Sequence, residues 1–126
     1  MKYVILIHRN PEATAAFRAL PSEQIQQGLD VYRRLNAELE ESGELVAAAA
    51  LADLEAGTRL PAEDGAGLGD FATDGPFAET TEYVGGFYLV DVESEERALE
   101  VARQVPEAAL GLVEVRPTMD LNAFDL

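Results

Sequence analysis

The sequence predicts a single α+β domain, and three observations predict it. Its 126 residues are a usual size for one domain, and 48% of them are hydrophobic, which is enough for a core. Short β-branched and aliphatic runs, typical of strands, alternate with segments whose apolar residues recur every three or four positions, as in helices. The resulting order is β-α-β-β-α-β, the ferredoxin-like split βαβ pattern, in which two helices cover one face of a four-stranded sheet. We therefore expect one domain over residues 1–126.

The first strand is expected over residues 2 to 8, where both alternating faces are apolar, as in a central strand covered on both sides: Tyr3, Ile5 and Ile7 on one face, Val4 and Leu6 on the other. Asn10 can cap, and Pro11 can begin, a short helical turn through Phe17. Because a monomer would expose one apolar face of such a sheet, we predict a homodimer.

The main helix is expected from the N-cap Ser22 to the C-terminal cap Gly43, with its apolar face at Ile25, Leu29, Tyr32, Leu35 and Leu39. Gly28 lies inside this helix and costs roughly 1 kcal/mol relative to alanine. Either packing compensates for that cost, or another group approaches the backbone closely at Gly28.

The remaining elements follow from local composition. Residues 44 to 51 are predicted as a strand, 53 to 69 as an irregular loop, and 70 to 73 as a short strand. Residues 83 to 92 form a second central strand, in which Gly85-Gly86 indicates a bulge or a close approach. Ser94 caps a second helix that Pro106 closes, and residues 112 to 117 give the last strand.

Composition excludes several classes of function. Twenty-four acidic residues against nine basic ones give a net charge of −15, which argues against nucleic acid and anionic membrane surfaces as partners. With no cysteine, disulfides, thiol catalysis and zinc-thiolate sites are excluded, and a cytoplasmic location is expected. The apolar run at the start is too short for a signal peptide or a membrane span. No dinucleotide or phosphate-binding fingerprint follows a strand, so no cofactor is predicted.

The loop over residues 74–80, Asp-Gly-Pro-Phe-Ala-Glu-Thr, is the most informative segment. Turn chemistry alone accounts for its first three residues, whereas a pocket-lining role would use Asp74 as a proton-handling group. A hard cation could in principle bind the acids of this region, Asp70, Asp74, Glu79 and Glu82. No EF-hand spacing or histidine cluster supports that, so a solvated acidic loop is the better interpretation and no metal site is predicted.

This loop, Glu82, the run Gly85-Gly86-Phe87-Tyr88-Leu89-Val90 and the segment 113–117 together resemble the DGPFAETKE branch of the YCII-related family. The similarity includes the opening Met1-Lys2-Tyr3 and spans nearly the whole chain. The resemblance implies a dimeric ferredoxin-like α/β barrel in a small bacterial cytosolic protein. Many members are encoded beside extracytoplasmic-function sigma factors, and their biochemical role is generally unassigned.

The resemblance also implies a site. In the wider family a helix histidine and the loop aspartate form a candidate acid-base dyad, and Asp74 matches that aspartate. The helix histidine does not carry over, because Tyr32 lies near its place, and Thr81 replaces the lysine of the branch motif. Phe77, Glu79 and Thr80 of the loop, together with Tyr32, are the implied ligand-binding residues.

Two strand-end residues complete the candidates. His8, the single histidine, is either a locally hydrogen-bonded residue or a catalytic partner that Asp74 orients. Arg116, like Arg9, could hold a ligand carboxylate, but pairing with one of the many acids is favoured.

Two functions remain open from the sequence. One is an enzyme that performs acid-base chemistry on a small molecule in a pocket at the 74–80 loop. The other is a non-catalytic dimer that binds a small ligand or a regulatory protein, with a possible link to a sigma factor. A ferredoxin-like fold hosts both kinds of protein and does not choose between them.

Overall fold

The computed structural model describes residues 1–63 and 82–123. Its strands are β1 (Lys2–Arg9), β2 (Leu45–Ala50), β3 (Tyr83–Asp91) and β4 (Val113–Pro117), and its helices are α1 (Pro11–Arg18), α2 (Ser22–Ser42) and α3 (Glu95–Arg103). All paired strands are antiparallel, in the order β2-β3-β1-β4. This is the predicted α+β, ferredoxin-like arrangement, which is confirmed. The strand predicted at 70–73 lies outside the described residues.

Most helix ends follow the predicted capping chemistry. Asn10 Oδ1 accepts a hydrogen bond from Ala13 N at 2.7 Å, and Ser94 Oγ accepts one from Arg97 N at 3.1 Å. Gly43 ends α2 in the left-handed conformation, with φ of 78°, which glycine adopts without steric cost.

Two predicted boundaries were wrong. Ser22 is the first residue of α2 rather than its cap, because Pro21 precedes the helix and its carbonyl accepts hydrogen bonds from Gln24 N and Ile25 N. The second helix ends at Arg103, short of Pro106, which begins a 3-10 turn over Pro106–Leu110. A proline at the start of a helical turn loses no hydrogen bond, so Pro106 opens this turn instead of only closing α3.

The core lies between one face of the sheet and the helices α2 and α3. The central strands β1 and β3 contribute one alternating set, α3 contributes its apolar face, and α2 contributes residues from its C-terminal half only. The buried residues of this cluster are Tyr3, Ile5, Ile7, Leu35, Leu39, Tyr88, Val90, Val92, Ala98, Val101, Ala102 and Val105.

The outer face of the sheet carries the other alternating set. Val4 pairs with Leu89 and Leu6 with Phe87, and all four are partly exposed. Because Tyr3, Ile5 and Ile7 point into the core, these neighbours point the opposite way. The outer face is therefore apolar at its centre.

A β-bulge marks the end of the β1–β3 pair. Ile7 pairs with Gly86 and His8 with Val84, so Gly85 is the extra residue. A Cβ at Gly85 would lie 2.4 Å from Arg9 Nε, and one at Gly86 would lie 3.0 Å from the carbonyl oxygen of Ala49. Both the bulge and the close approach expected at this pair of glycines are present.

Candidate functional site

A cavity of about 710 Å³ lies between the helix-facing side of the sheet, α1, the N-terminal half of α2 and the 106–112 segment. Most of its wall is apolar. Among the large apolar residues that line it are Ile7, Phe17, Leu20, Leu29, Leu110 and Leu112. A concave, largely apolar space with a few polar groups has the character of a small-molecule site.

The cavity exists because α2 packs closely at only one end. Leu35 and Leu39 are its buried residues, and none of its residues before them is buried. Gly28 lies in the separated half and lines the cavity, and a Cβ there would meet no described atom within 4 Å. Neither expectation for Gly28 holds among the described residues: this glycine adjoins open space.

Glu107 and Tyr32 form the main polar pair of the cavity. The Tyr32 hydroxyl donates a hydrogen bond to Glu107 Oε2, which joins α2 to the 3-10 turn. Burial raises the pKa of the Glu107 carboxyl, and this effect outweighs the opposing influence of the positive charge of Arg9 and of its own backbone N–H. Glu107 is thus biased towards its protonated form.

A second hydrogen-bonded pair lies on the cavity wall. Tyr88 is buried on β3 and its hydroxyl donates to Asn36 Oδ1 at 2.5 Å. Burial raises the pKa of Tyr88, so its hydroxyl is neutral and remains a donor. This pair fixes the orientation of the Asn36 amide beside the space.

Arg9 brings a positive charge to the cavity. Its side chain lies directly against Gly85, and Nη1 donates a long hydrogen bond of 3.4 Å to the carbonyl of Leu51. Glu107 lies within its electrostatic range. Among residues 1–63 and 82–123, no carboxylate lies within ion-pair distance of Arg9.

The residues predicted from the sequence separate into three groups. Tyr32 lines the cavity. His8 borders the cavity, but its Nε2 pairs with Glu114 Oε1 at 3.1 Å, and Arg116 Nε lies 3.8 Å from the other oxygen of Glu114. Arg116 is well exposed and lies on the outer face. The loop residues Asp74, Phe77, Glu79 and Thr80 lie outside the described residues.

Sequence reasoning missed Glu107. It is one of 24 acidic residues, and the sequence pattern predicts no helix or strand for residues 107–111. The available signal was a Pro-Glu pair between a helix and an apolar strand, which typically starts a helical turn and orders the acid that follows. Its burial depends on α2 and could not be read locally.

The described part of the chain has neither a cluster of metal-binding side chains nor a helix that could cross a membrane. Residues 1–63 and 82–123 hold no group of three or more His, Cys, Asp or Glu side chains placed to bind a metal ion. No helix within these ranges has the length and apolar character needed to cross a membrane.

The fold and the cavity define a ferredoxin-like α+β domain with a small-molecule-sized cavity beside its sheet. The model of the YCII-related domain matches residues 1–122, and the chain belongs to this family. The chain is 34% identical over 119 residues to an uncharacterized protein of Rhizobium meliloti (strain 1021), covering 93% of this chain and 91% of that protein.

A solved structure with a similar course of the chain is 5-chloro-2-hydroxyhydroquinone dehydrochlorinase from Burkholderia phenoliruptrix AC1100, in complex with 2,5-dihydroxybenzoquinone. The comparison of the two structures has a TM-score of 0.48 and covers 99% of this chain and 100% of the other. The two sequences are 16% identical.

Proposed function

We propose that this YCII-related protein binds a small molecule in the cavity between α1, α2 and the sheet and performs acid-base chemistry on it. The observation that supports this most is the Tyr32–Glu107 pair, which places a carboxyl with a raised pKa inside a largely apolar space. Perturbed acids in clefts are candidates for proton transfer, because their pKa is moved towards the working pH.

In this proposal Glu107 is the proton-transferring group and Tyr32 holds its carboxyl in one orientation. The proton on Glu107 would pass to a basic atom of the bound molecule, and the resulting carboxylate would keep the Tyr32 hydroxyl as a donor. Tyr88 and Asn36 offer neutral hydrogen-bonding groups on the same wall. With a ligand bound, the apolar residues around them would limit the access of water and so keep the proton transfer between ligand and protein.

Binding is tested by filling the cavity. Gly28→Leu projects a side chain into the space without removing a polar group, and Gln27→Leu places the same side chain on the exposed surface of α2 as a control. Molecules that co-purify with the wild-type protein, identified by native mass spectrometry, should be lost in the first variant and retained in the second. Equal retention in both would reject the cavity as the binding site.

Catalysis is tested separately with Glu107→Gln, which keeps the shape of the side chain but transfers no proton. Wild-type protein incubated with a metabolite extract should convert at least one small molecule, detected by untargeted mass spectrometry, and the variant should not. If the wild-type protein binds a molecule in the cavity but converts none, the non-catalytic ligand-binding function becomes the correct one.

The residues predicted from the resemblance remain part of the proposal. Asp74 and His8 are proposed as further proton-handling residues, and Phe77, Glu79 and Thr80 as ligand contacts. His8 would have to break its contact with Glu114 before it could transfer a proton in the cavity, because its Nε2 pairs with Glu114 on the outer face. His8→Gln should then leave conversion unchanged if its role is the Glu114 hydrogen bond alone. Cytoplasmic location and a sigma-factor link stay predictions.

We also propose that the protein works as a homodimer. The apolar centre of the outer sheet face, formed by Val4, Leu6, Phe87 and Leu89, is the surface that a second copy would cover. Light scattering should give twice the chain mass of 13.6 kDa. Leu89→Glu should reduce it to the monomer, whereas Leu60→Glu, at an exposed position that belongs to no strand of the sheet, should not.

A further inference from the structure

The position of Arg9 indicates what kind of molecule the cavity takes. In a chain with net charge −15, an arginine would usually find a carboxylate partner. Arg18, Arg33, Arg97 and Arg116 each have one within 4.0 Å, whereas Arg34 and Arg103, which have none among the described residues, lie on exposed helix surface and not in a cavity. Arg9 has none among residues 1–63 and 82–123, and its side chain donates only a long hydrogen bond of 3.4 Å to the Leu51 carbonyl within these ranges. Its guanidinium therefore retains capacity for an anionic partner.

The backbone is shaped around this side chain. Three Arg9 atoms, Nε, Cδ and Cγ, lie 2.4 to 2.6 Å from the point where a Cβ of residue 85 would be. Only a glycine at the bulge lets the side chain pass across β3 in this way. The β-bulge and Gly85 thus direct Arg9 across the floor of the cavity.

From this geometry we propose that the cavity binds a small molecule with an apolar ring system and one anionic oxygen group, such as a carboxylate, and that Arg9 binds the anion. This rests on the proposed function, of which it specifies the ligand class. The planar guanidinium suits a carboxylate because it donates two parallel hydrogen bonds. The apolar walls suit the ring, and Glu107 and Tyr32 lie in the same cavity for the chemistry.

The net charge of the protein makes binding of an anion a sensitive test for a specific cationic side chain. A surface with fifteen surplus negative charges repels small anions, so nonspecific binding of an acid is disfavoured. Binding of an anionic aromatic compound at low salt would therefore need a specific cation. A neutral compound with the same rings would depend on the apolar wall alone.

The test uses two fluorescent probes with matching rings, anilinonaphthalene sulfonate and the neutral phenylnaphthylamine. Wild-type protein should bind both and prefer the anion. Arg9→Gln should weaken the sulfonate about tenfold or more, the loss expected for a charge-assisted hydrogen bond, and leave the neutral probe within about twofold. Arg9→Lys should fall between them. Arg33→Gln, which removes an exposed arginine paired with Asp30, is the control for net charge and should change neither probe.

Gly85→Ala provides an independent arm. The added Cβ would displace the flexible Arg9 side chain while Arg9 itself is unchanged, so sulfonate affinity should fall as in Arg9→Gln. Circular dichroism and thermal unfolding of each variant establish that it is folded. Displacement of the sulfonate by naphthoate but not by naphthamide extends the result to carboxylates.

The outcomes distinguish the two proposals. If neither probe binds the wild-type protein, or if Gly28→Leu leaves both unaffected, the cavity is not the binding site and the proposed function fails. If both probes bind in the cavity but folded Arg9→Gln and Arg9→Lys proteins keep the wild-type preference for the anion, the assignment of Arg9 is overturned while the proposed function stands.

Discussion

The two ends of α2 differ in how they meet the sheet. At the C-terminal end, Leu35 and Leu39 are buried in the core cluster to which β1, β3 and α3 also contribute. At the N-terminal end, Leu29 is 37% exposed and Gly28 adjoins open space. The part of the sheet opposite this end carries Gly85, Gly86 and Arg9, where the core carries branched side chains. One helix thus serves as core at one end and as the wall of a cavity at the other.

The difference shows how a small domain can hold both a stable core and a site. Stability comes from close packing at one end, where removal of a methylene leaves a void. At the other end the side chains of α2 do not fill the space beside the sheet, so that space is available to a ligand. Substitutions at the two ends should therefore have different effects.

The packed end should be far more sensitive to truncation than the cavity end. Leu39→Ala should lower the free energy of unfolding by about 2–5 kcal/mol, since the side chain is almost fully buried. Leu29→Ala is the same change at the N-terminal end of the helix. It should lower the free energy of unfolding by less than about 1 kcal/mol, because that side chain is already partly exposed. Urea denaturation measures both. Equal losses would contradict the division.

The glutamate at the packed end should stabilise the fold at neutral pH. Arg97 Nε and Nη2 donate hydrogen bonds of 3.0 and 2.9 Å to the two carboxylate oxygens of Glu44, and these bonds lower the pKa of Glu44. A lowered pKa stabilises the folded state above the unfolded value and loses that effect as the pH falls through the folded value. Glu44→Gln should therefore cost about 1 kcal/mol at pH 7 and much less in acid. Glu41→Gln, on exposed helix surface, is the control.

The glutamate at the cavity end should behave in the opposite way. Burial raises the pKa of Glu107, so its contribution to stability is present below the unfolded value and is lost as the pH rises through the folded value. Relative to wild-type protein, Glu107→Gln should gain stability between acid and neutral pH, because the amide never ionises. Thermal unfolding from pH 4 to pH 7 measures this, with Glu38→Gln as the control. A pH-independent difference would show that Glu107 titrates normally.

The smallest effect is expected at Gly28. A Cβ there meets no described atom, so Gly28→Ala should stabilise α2 by up to about 1 kcal/mol through helix propensity alone. Chemical denaturation measures the gain, and Ala37→Gly, an exposed position of the same helix, should give a loss of similar size. A destabilised Gly28→Ala protein would mean that this part of the helix is closely packed after all.

The features that could be predicted from the sequence are those that depend on local chemistry. The cap at Asn10, the left-handed Gly43 and the bulge at Gly85 were all predictable, because each depends on residues next to one another in the chain. The start of α2 was misplaced by one residue, because serine is a preferred N-cap type, yet Pro21 takes the cap position here without a side-chain hydrogen bond. The branch of the family and the 74–80 loop stay sequence predictions.

By itself, the sequence determined the α+β class and the order of the strands and helices along the chain. It also determined that both faces of β1 are apolar. Hydrophobic periodicity and capping are local properties, so they can be read from the sequence. Only the tertiary structure decided the site. Glu107, Tyr32 and Arg9 are far apart in sequence and meet because the 3-10 turn, α2 and the end of β1 converge on one cavity. Burial and electrostatic proximity are properties of that convergence, and no single segment contains them.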